Sequence, residues 1–121
     1  WSGSERISQA DLVKVYNQSK ISFNSYITSK GNIGINARDF EATACGSMVV
    51  TQDIPEIHRF FEVGKEIVTY KNIDEAAEKI QYYLSHEEER AEIAKAGQAR
   101  TLREHTYEKR LGEIFSFAKN I

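Results

Sequence analysis

The chain has 121 residues, enough for one small domain that buries roughly two-thirds of its unfolded surface on folding. Hydrophobic residues make up 40% and charged residues 28%, and a net charge of −2 without a basic block argues for an ordinary globular domain and against a nucleic-acid surface. No apolar run reaches the ~18 residues of a membrane-spanning helix, Trp1-Ser2-Gly3-Ser4 is not a signal peptide, and a lone cysteine, Cys45, excludes an internal disulfide and points to a reducing, cytoplasmic setting.

Ser8 is the expected N-cap of a first helix, with Asp11 near the positive end of its dipole and Leu12, Val15 and Tyr16 on one face. Asn17-Gln18-Ser19 stops it, and residues 20–24 read as a short strand. Residues 29–36 are rich in Gly and Asn and read as a loop. Residues 38–45 suit a short helix ended by Gly46, with Phe40 and Ala44 expected inward. Met48-Val49-Val50 is a continuous apolar run, the mark of a parallel strand buried on both faces. After a turn at Pro55, Ile57, Phe60 and Phe61 form one helical turn, Gly64 breaks it, and residues 66–70 form a further strand.

The rest predicts helices. Asn72 and Glu75 form a capping-box pattern, followed by an apolar face of Ile73, Ala76, Ala77, Ile80 and Leu84. Ser85 and Glu88 repeat the pattern, with Ala91, Ile93 and Ala94 inward. Thr106 caps a last helix carrying Tyr107, Leu111, Ile114, Phe115 and Ala118 in one stripe. The alternation of strand and helix predicts one α/β domain over residues 1–121: a parallel sheet with helices on both faces and a helix-rich C-terminal third.

The order strand, Gly/Asn loop, helix marks the candidate site. Ligands of doubly wound sheets bind beyond the carboxyl ends of the strands. A helix N-terminus offers free N–H groups and partial positive charge to a phosphate. Arg38 suits a bidentate contact to a diphosphate, and Glu41, one turn on, suits a ribose diol. The same residues equally describe a plain turn followed by an i, i+3 surface pair. Cys45 is expected to pack, since no histidine stands at activating spacing. His58, His86 and His105 lack metal-ligand spacing.

The run from Asp39 through Glu41-Ala42-Thr43-Ala44-Cys45-Gly46 to Val49-Val50-Thr51 resembles the motif of retaining GT-B glycosyltransferases. Residues 11–21, 55–64 and Glu104-His105-Thr106-Tyr107 with Arg110 resemble the segments flanking it. Within that group the chain is similar to the spore-maturation glycosyltransferase-like proteins, which carry an Arg two residues before Phe-Glu, as Arg38 stands here. The resemblance implies a Rossmann-like GT-B C-terminal domain that binds a nucleotide-diphospho-sugar and needs no separate cofactor or metal. The donor-facing residues would be Gly34, Ile35, Asn36, Ala37, Arg38 and Glu41, with Glu41 on the ribose.

The family's other motif carboxylate falls at Ile33, which cannot contact the sugar as that carboxylate does. The resemblance also implies a partner N-terminal Rossmann domain and a basic pair for the leaving diphosphate before Trp1. Together with Met48 as the only methionine, this makes the chain an expected fragment, inactive alone. The competing expectations are a non-catalytic binding module of the same fold and a receiver-like domain. The latter lacks its acidic cluster after Phe23 and Val50.

Overall fold

The computed structural model describes residues 8–26 and 37–105. Three parallel strands, β1 (Ile21–Phe23), β2 (Met48–Gln52) and β3 (Val68–Tyr70), lie in the order β1-β2-β3. Ile21 pairs with Met48, and Val50 with both Phe23 and Val68. Helix α1 (Gln9–Gln18) precedes β1, α2 (Ala37–Ala44) links β1 to β2, α3 (Ile57–Phe60) links β2 to β3, and α4 (Ile73–Ser85) and α5 (Glu87–Glu104) follow. The expected parallel α/β sheet, covered on both faces and helix-rich at the end, is therefore observed.

β2 builds two cores because it is buried on both sides. Val49 points to one face, with Ala42, Ile54, Ile57, Phe61 and Ile67. Met48 and Val50 point to the other, with Val68, Tyr70, Ala76 and Ile93. Each of the larger aliphatic and Phe side chains contributes on the order of 1.5–3 kcal/mol by leaving water, and each alanine methyl less. Both crossovers pack on the first face, as a sheet growing in one direction with crossovers of one hand requires.

Local signals set the element ends. The Ser8 hydroxyl accepts from the Asp11 N–H, and Asn72 Oδ1 accepts from the Glu75 N–H at 2.8 Å, so both expected caps form. Gly46 ends α2 with φ +86°, a conformation that a side chain disfavours. β1 and β3 are shorter than expected, β2 runs on to Gln52, and Ile67 makes only an isolated bridge to Val63.

Three helix expectations are corrected. The inward face of α4 is Ala76, Ile80 and Tyr83; Ala77 is exposed, as are Ile73 at 68% and Leu84 at 54%. Ser85 does not cap α5: it closes α4 by donating to the Gln81 carbonyl, and His86 holds the cap position with its ring bonded back to the Tyr82 carbonyl rather than to α5. The α4 carbonyls of Tyr83 and Leu84 instead accept from buried Arg90, a cation at a helix C-terminus. Ala91 is exposed, and α5 turns Arg90, Ile93, Gly97 and Thr101 inward. The expected final helix lies outside the described residues.

α5 ties the two layers together across the amino ends of the strands. Ile93 and Ala94 pack on the second core. Further along, Gln98 Nε2 donates to the Ala44 carbonyl at 3.0 Å, and Thr101 shares a 2.6 Å hydroxyl–hydroxyl bond with Thr43. His105 closes α5 among Phe40, Phe60 and Phe61 on the first face. This crossing leaves the carboxyl ends of the strands uncovered by α5.

Candidate functional site

At those carboxyl ends, β1 runs out into Asn24-Ser25-Tyr26, and α2 begins beside it. A buried polar cluster joins the two. Asn24 Nδ2 donates to Asp39 Oδ1 at 2.9 Å, and the Tyr26 hydroxyl donates to Asp39 Oδ2. Asp39 is 0% exposed, in the first turn of α2. Its carboxylate therefore faces the favourable end of the helix dipole as well as two donors.

Burial is the largest influence on Asp39 and pushes its pKa up, while the Tyr26 and Asn24 hydrogen bonds oppose the rise. Burial, followed by the bond to Asp39, pushes the Tyr26 phenol up as well, so the hydroxyl remains a donor at neutral pH. The Tyr70 hydroxyl donates to the Asn24 carbonyl at 2.7 Å, and the Tyr26 N–H donates to Gln52 Oε1 at 3.2 Å. The ends of all three strands thus meet in one hydrogen-bonded group.

On the outer side of α2, Arg38 is exposed and Glu41 half-buried. Both act on the Tyr16 phenol of α1: burial raises its pKa first, Glu41 raises it further, and Arg38 lowers it. A shallow depression of about 210 Å³, open to solvent, lies between α1, β1 and α2, lined by Tyr16, Ser22, Asn24, Arg38, Asp39 and Val49 among others.

Comparison with known proteins now decides the family. The sequence profile of the family described as glycosyl transferase-like matches residues 1–116. The chain belongs to this family. Over 100 residues it is 29% identical to the "Spore protein CgeB" of Bacillus subtilis (strain 168), a match covering 82% of this chain. The chain spans about 30% of the length of that relative. No solved structure matches.

Of the glycosyltransferase-like residues expected at the site, Ala37 opens α2, and Arg38 and Glu41 lie one turn apart on it, electrostatically coupled to the same tyrosine. Gly34, Ile35 and Asn36, like Ile33, lie outside the described residues. Cys45 is half-buried in the turn after α2, its thiol pKa raised by burial and then by Glu41, in keeping with a packed and unreactive thiol. Sequence reasoning missed Asn24, Tyr26 and Asp39. It placed Phe40 and Ala44 inward on α2: Phe40 does pack on the first core, against Phe60 and Phe61, and Ala44 is half-buried, while the fully buried positions are Asp39, Ala42 and Thr43. The available signal was helical spacing: Asp39 stands three and four residues before Ala42 and Thr43, two small residues suited to a close helix–sheet contact.

No group of His, Cys, Asp and Glu among the described residues is placed to hold a metal ion. No helix among them is long and apolar enough to cross a membrane.

Proposed function

We propose that this chain is the donor-facing part of a glycosyltransferase, binding a nucleotide-diphospho-sugar where α2 begins. The observation that carries this reading is the position of the α2 N-terminus at the carboxyl ends of three parallel strands, with Arg38 and Glu41 on one side of the helix. The first N–H groups of a helix have no intrahelical acceptor and suit an anion. Arg38 adds a guanidinium for the diphosphate, and Glu41 a carboxylate for two ribose hydroxyls. Family membership supports the same chemistry.

Gly34, Ile35, Asn36 and Ala37 complete the donor contact in this proposal. In this proposal the basic pair that neutralises the departing diphosphate lies in an earlier part of the same C-terminal domain and the acceptor site in a partner N-terminal Rossmann domain of a cytoplasmic protein, so the residues 1–121 alone bind donor without transferring sugar.

Titration of isotope-labelled chain with uridine diphosphate and guanosine diphosphate tests the reading. Shifts centred on Arg38 and Glu41 are expected; shifts confined to α4 and α5 overturn it. A second reading, a non-catalytic binding module, is favoured by Ile33 at the position of a motif carboxylate. It predicts nucleotide binding without sugar transfer even when the missing domain is supplied.

A further inference from the structure

β1 delivers the chain to the carboxyl edge of the sheet, and α2 takes it back. The outgoing stem is held at each step. The Asn24 N–H donates to the Val50 carbonyl at 2.9 Å, the Asn24 carbonyl accepts from Tyr70, and the Tyr26 N–H donates to Gln52. These bonds fix the stem to the sheet. The side chains of Asn24 and Tyr26 reach across to the returning helix, and both end on Asp39. Residues 27–36 are the chain between these two tied points.

A carboxylate is a costly acceptor in this place. Buried ionised groups pay a large desolvation penalty unless they are hydrogen-bonded, and the raised pKa of Asp39 records that penalty. What a carboxylate adds over an amide is acceptance on both oxygens, so each oxygen takes one donor from the stem and neither bond can swap for a repelling one. Two charge-assisted bonds from separate residues set both the distance and the rotation of the first turn of α2 against the stem.

We infer that Asp39, with Tyr26 and Asn24, is a positioning clamp that holds the end of β1 against the first turn of α2 and aims the α2 N-terminus at the bound donor. This role rests on the donor-binding reading above. None of the three groups needs to touch the ligand: Asp39 acts by holding Arg38 and the free N–H groups of α2 where a diphosphate is met. A displacement of ~1 Å in such a site is enough to cost up to about a hundredfold in function.

Tyr26→Phe tests the clamp, because it removes one hydroxyl and keeps the ring in the core. Thr101→Val is the control: it removes a buried hydroxyl from α5, where Thr101 bonds Thr43 one turn after Asp39, and leaves the Asn24 and Tyr26 bonds to the Asp39 carboxylate in place. Uridine diphosphate and guanosine diphosphate are titrated into the wild-type chain and both variants, and amide exchange is followed in parallel. Tyr26→Phe is expected to weaken binding at least tenfold and to speed exchange at Ser25 and Arg38, with Val49 and Val50 unchanged. Thr101→Val is expected to bind as wild type. Unchanged affinity in Tyr26→Phe, or equal loss in both variants, overturns the clamp. If the wild-type chain binds neither nucleotide, the donor reading and the donor role of the clamp fall together. In that case unchanged exchange at Ser25 and Arg38 in Tyr26→Phe removes the clamp itself as well.

Discussion

A Cβ placed on Gly97 of α5 would stand 2.3 Å from the carbonyl oxygen of Glu66, just ahead of β3. α5 can cross the amino ends of the strands only because this position has no side chain. Arg100 of the same helix pairs with the Glu66 carboxylate at 3.1 Å and with Glu104, which holds the helix against that carbonyl.

Gly97→Ala sets two effects against each other. Alanine favours a helix interior by about 1 kcal/mol. The clash is with backbone, which cannot rotate aside, and overpacking of this kind costs about 1–3 kcal/mol or more. A 2.3 Å contact belongs at the upper end of that range, about 2–3 kcal/mol, so the clash should win, lowering stability by about 1–2 kcal/mol net in urea unfolding monitored by circular dichroism. An unchanged or raised midpoint would show that α5 has room to lift off the β3 entry.

Thr43 and Thr101 join α2 to α5 through a buried hydroxyl pair, and Thr43 also donates to the Asp39 carbonyl. Thr43→Val strands the Thr101 hydroxyl in the core, at a cost of about 1–3 kcal/mol, whereas Thr101→Val leaves Thr43 donating to the Asp39 carbonyl. Replacing both leaves two apolar groups of similar shape. The double variant should therefore lose less than the sum of the singles, with a coupling of about 1 kcal/mol in a double-mutant cycle. Strict additivity would mean that the two helices are held by other contacts.

What was legible in the sequence was what depends on near neighbours. The caps at Ser8 and Asn72 and the stop at Gly46 follow from residues within one turn. The burial of Met48, Val49 and Val50 follows from an uninterrupted apolar run. The outward turn of Ile73 and Leu84 was not legible, because apolar spacing does not say which of the spaced positions the core reaches. Asp39 was hidden for a related reason. Its donors, Asn24 and Tyr26, lie 15 and 13 residues away in sequence, and without them a carboxylate in a first helical turn reads as a solvated charge. Of the proposed site, Arg38 and Glu41 were visible as a helical pair, while the group behind them needed the fold.

Asp39 should leave a mark on the pH dependence of stability. Its folded pKa is raised above the unfolded value of about 3.9, chiefly by burial. The folded state therefore binds the proton more tightly than the unfolded state. The stabilisation that goes with the protonated carboxyl is full below the unfolded pKa and is lost as pH rises through the folded pKa. The amide introduced by Asp39→Asn has no such titration. The stability of wild type relative to Asp39→Asn should fall as pH is raised from about 4 towards neutrality. Thermal unfolding of both proteins across this range measures it. A difference that grows in favour of wild type would mean that the Tyr26 and Asn24 hydrogen bonds outweigh burial.

Glu41 separates binding from folding. It is half-buried on the side of α2 facing Tyr16, and its backbone carbonyl, not its carboxylate, accepts from Cys45 in the turn that ends the helix. Glu41→Gln keeps that backbone bond and the size of the side chain while removing the charge. A charged hydrogen bond to ribose is worth about 1.5–3 kcal/mol, and about 1.4 kcal/mol is tenfold in affinity. Binding of the preferred nucleoside diphosphate should therefore weaken about tenfold or more by calorimetric titration. Thermal stability should move little, because no packing contact is lost. Should the variant bind as tightly as wild type but unfold earlier, Glu41 belongs to the α1–α2 contact through Tyr16. The ribose would then have to be held from elsewhere.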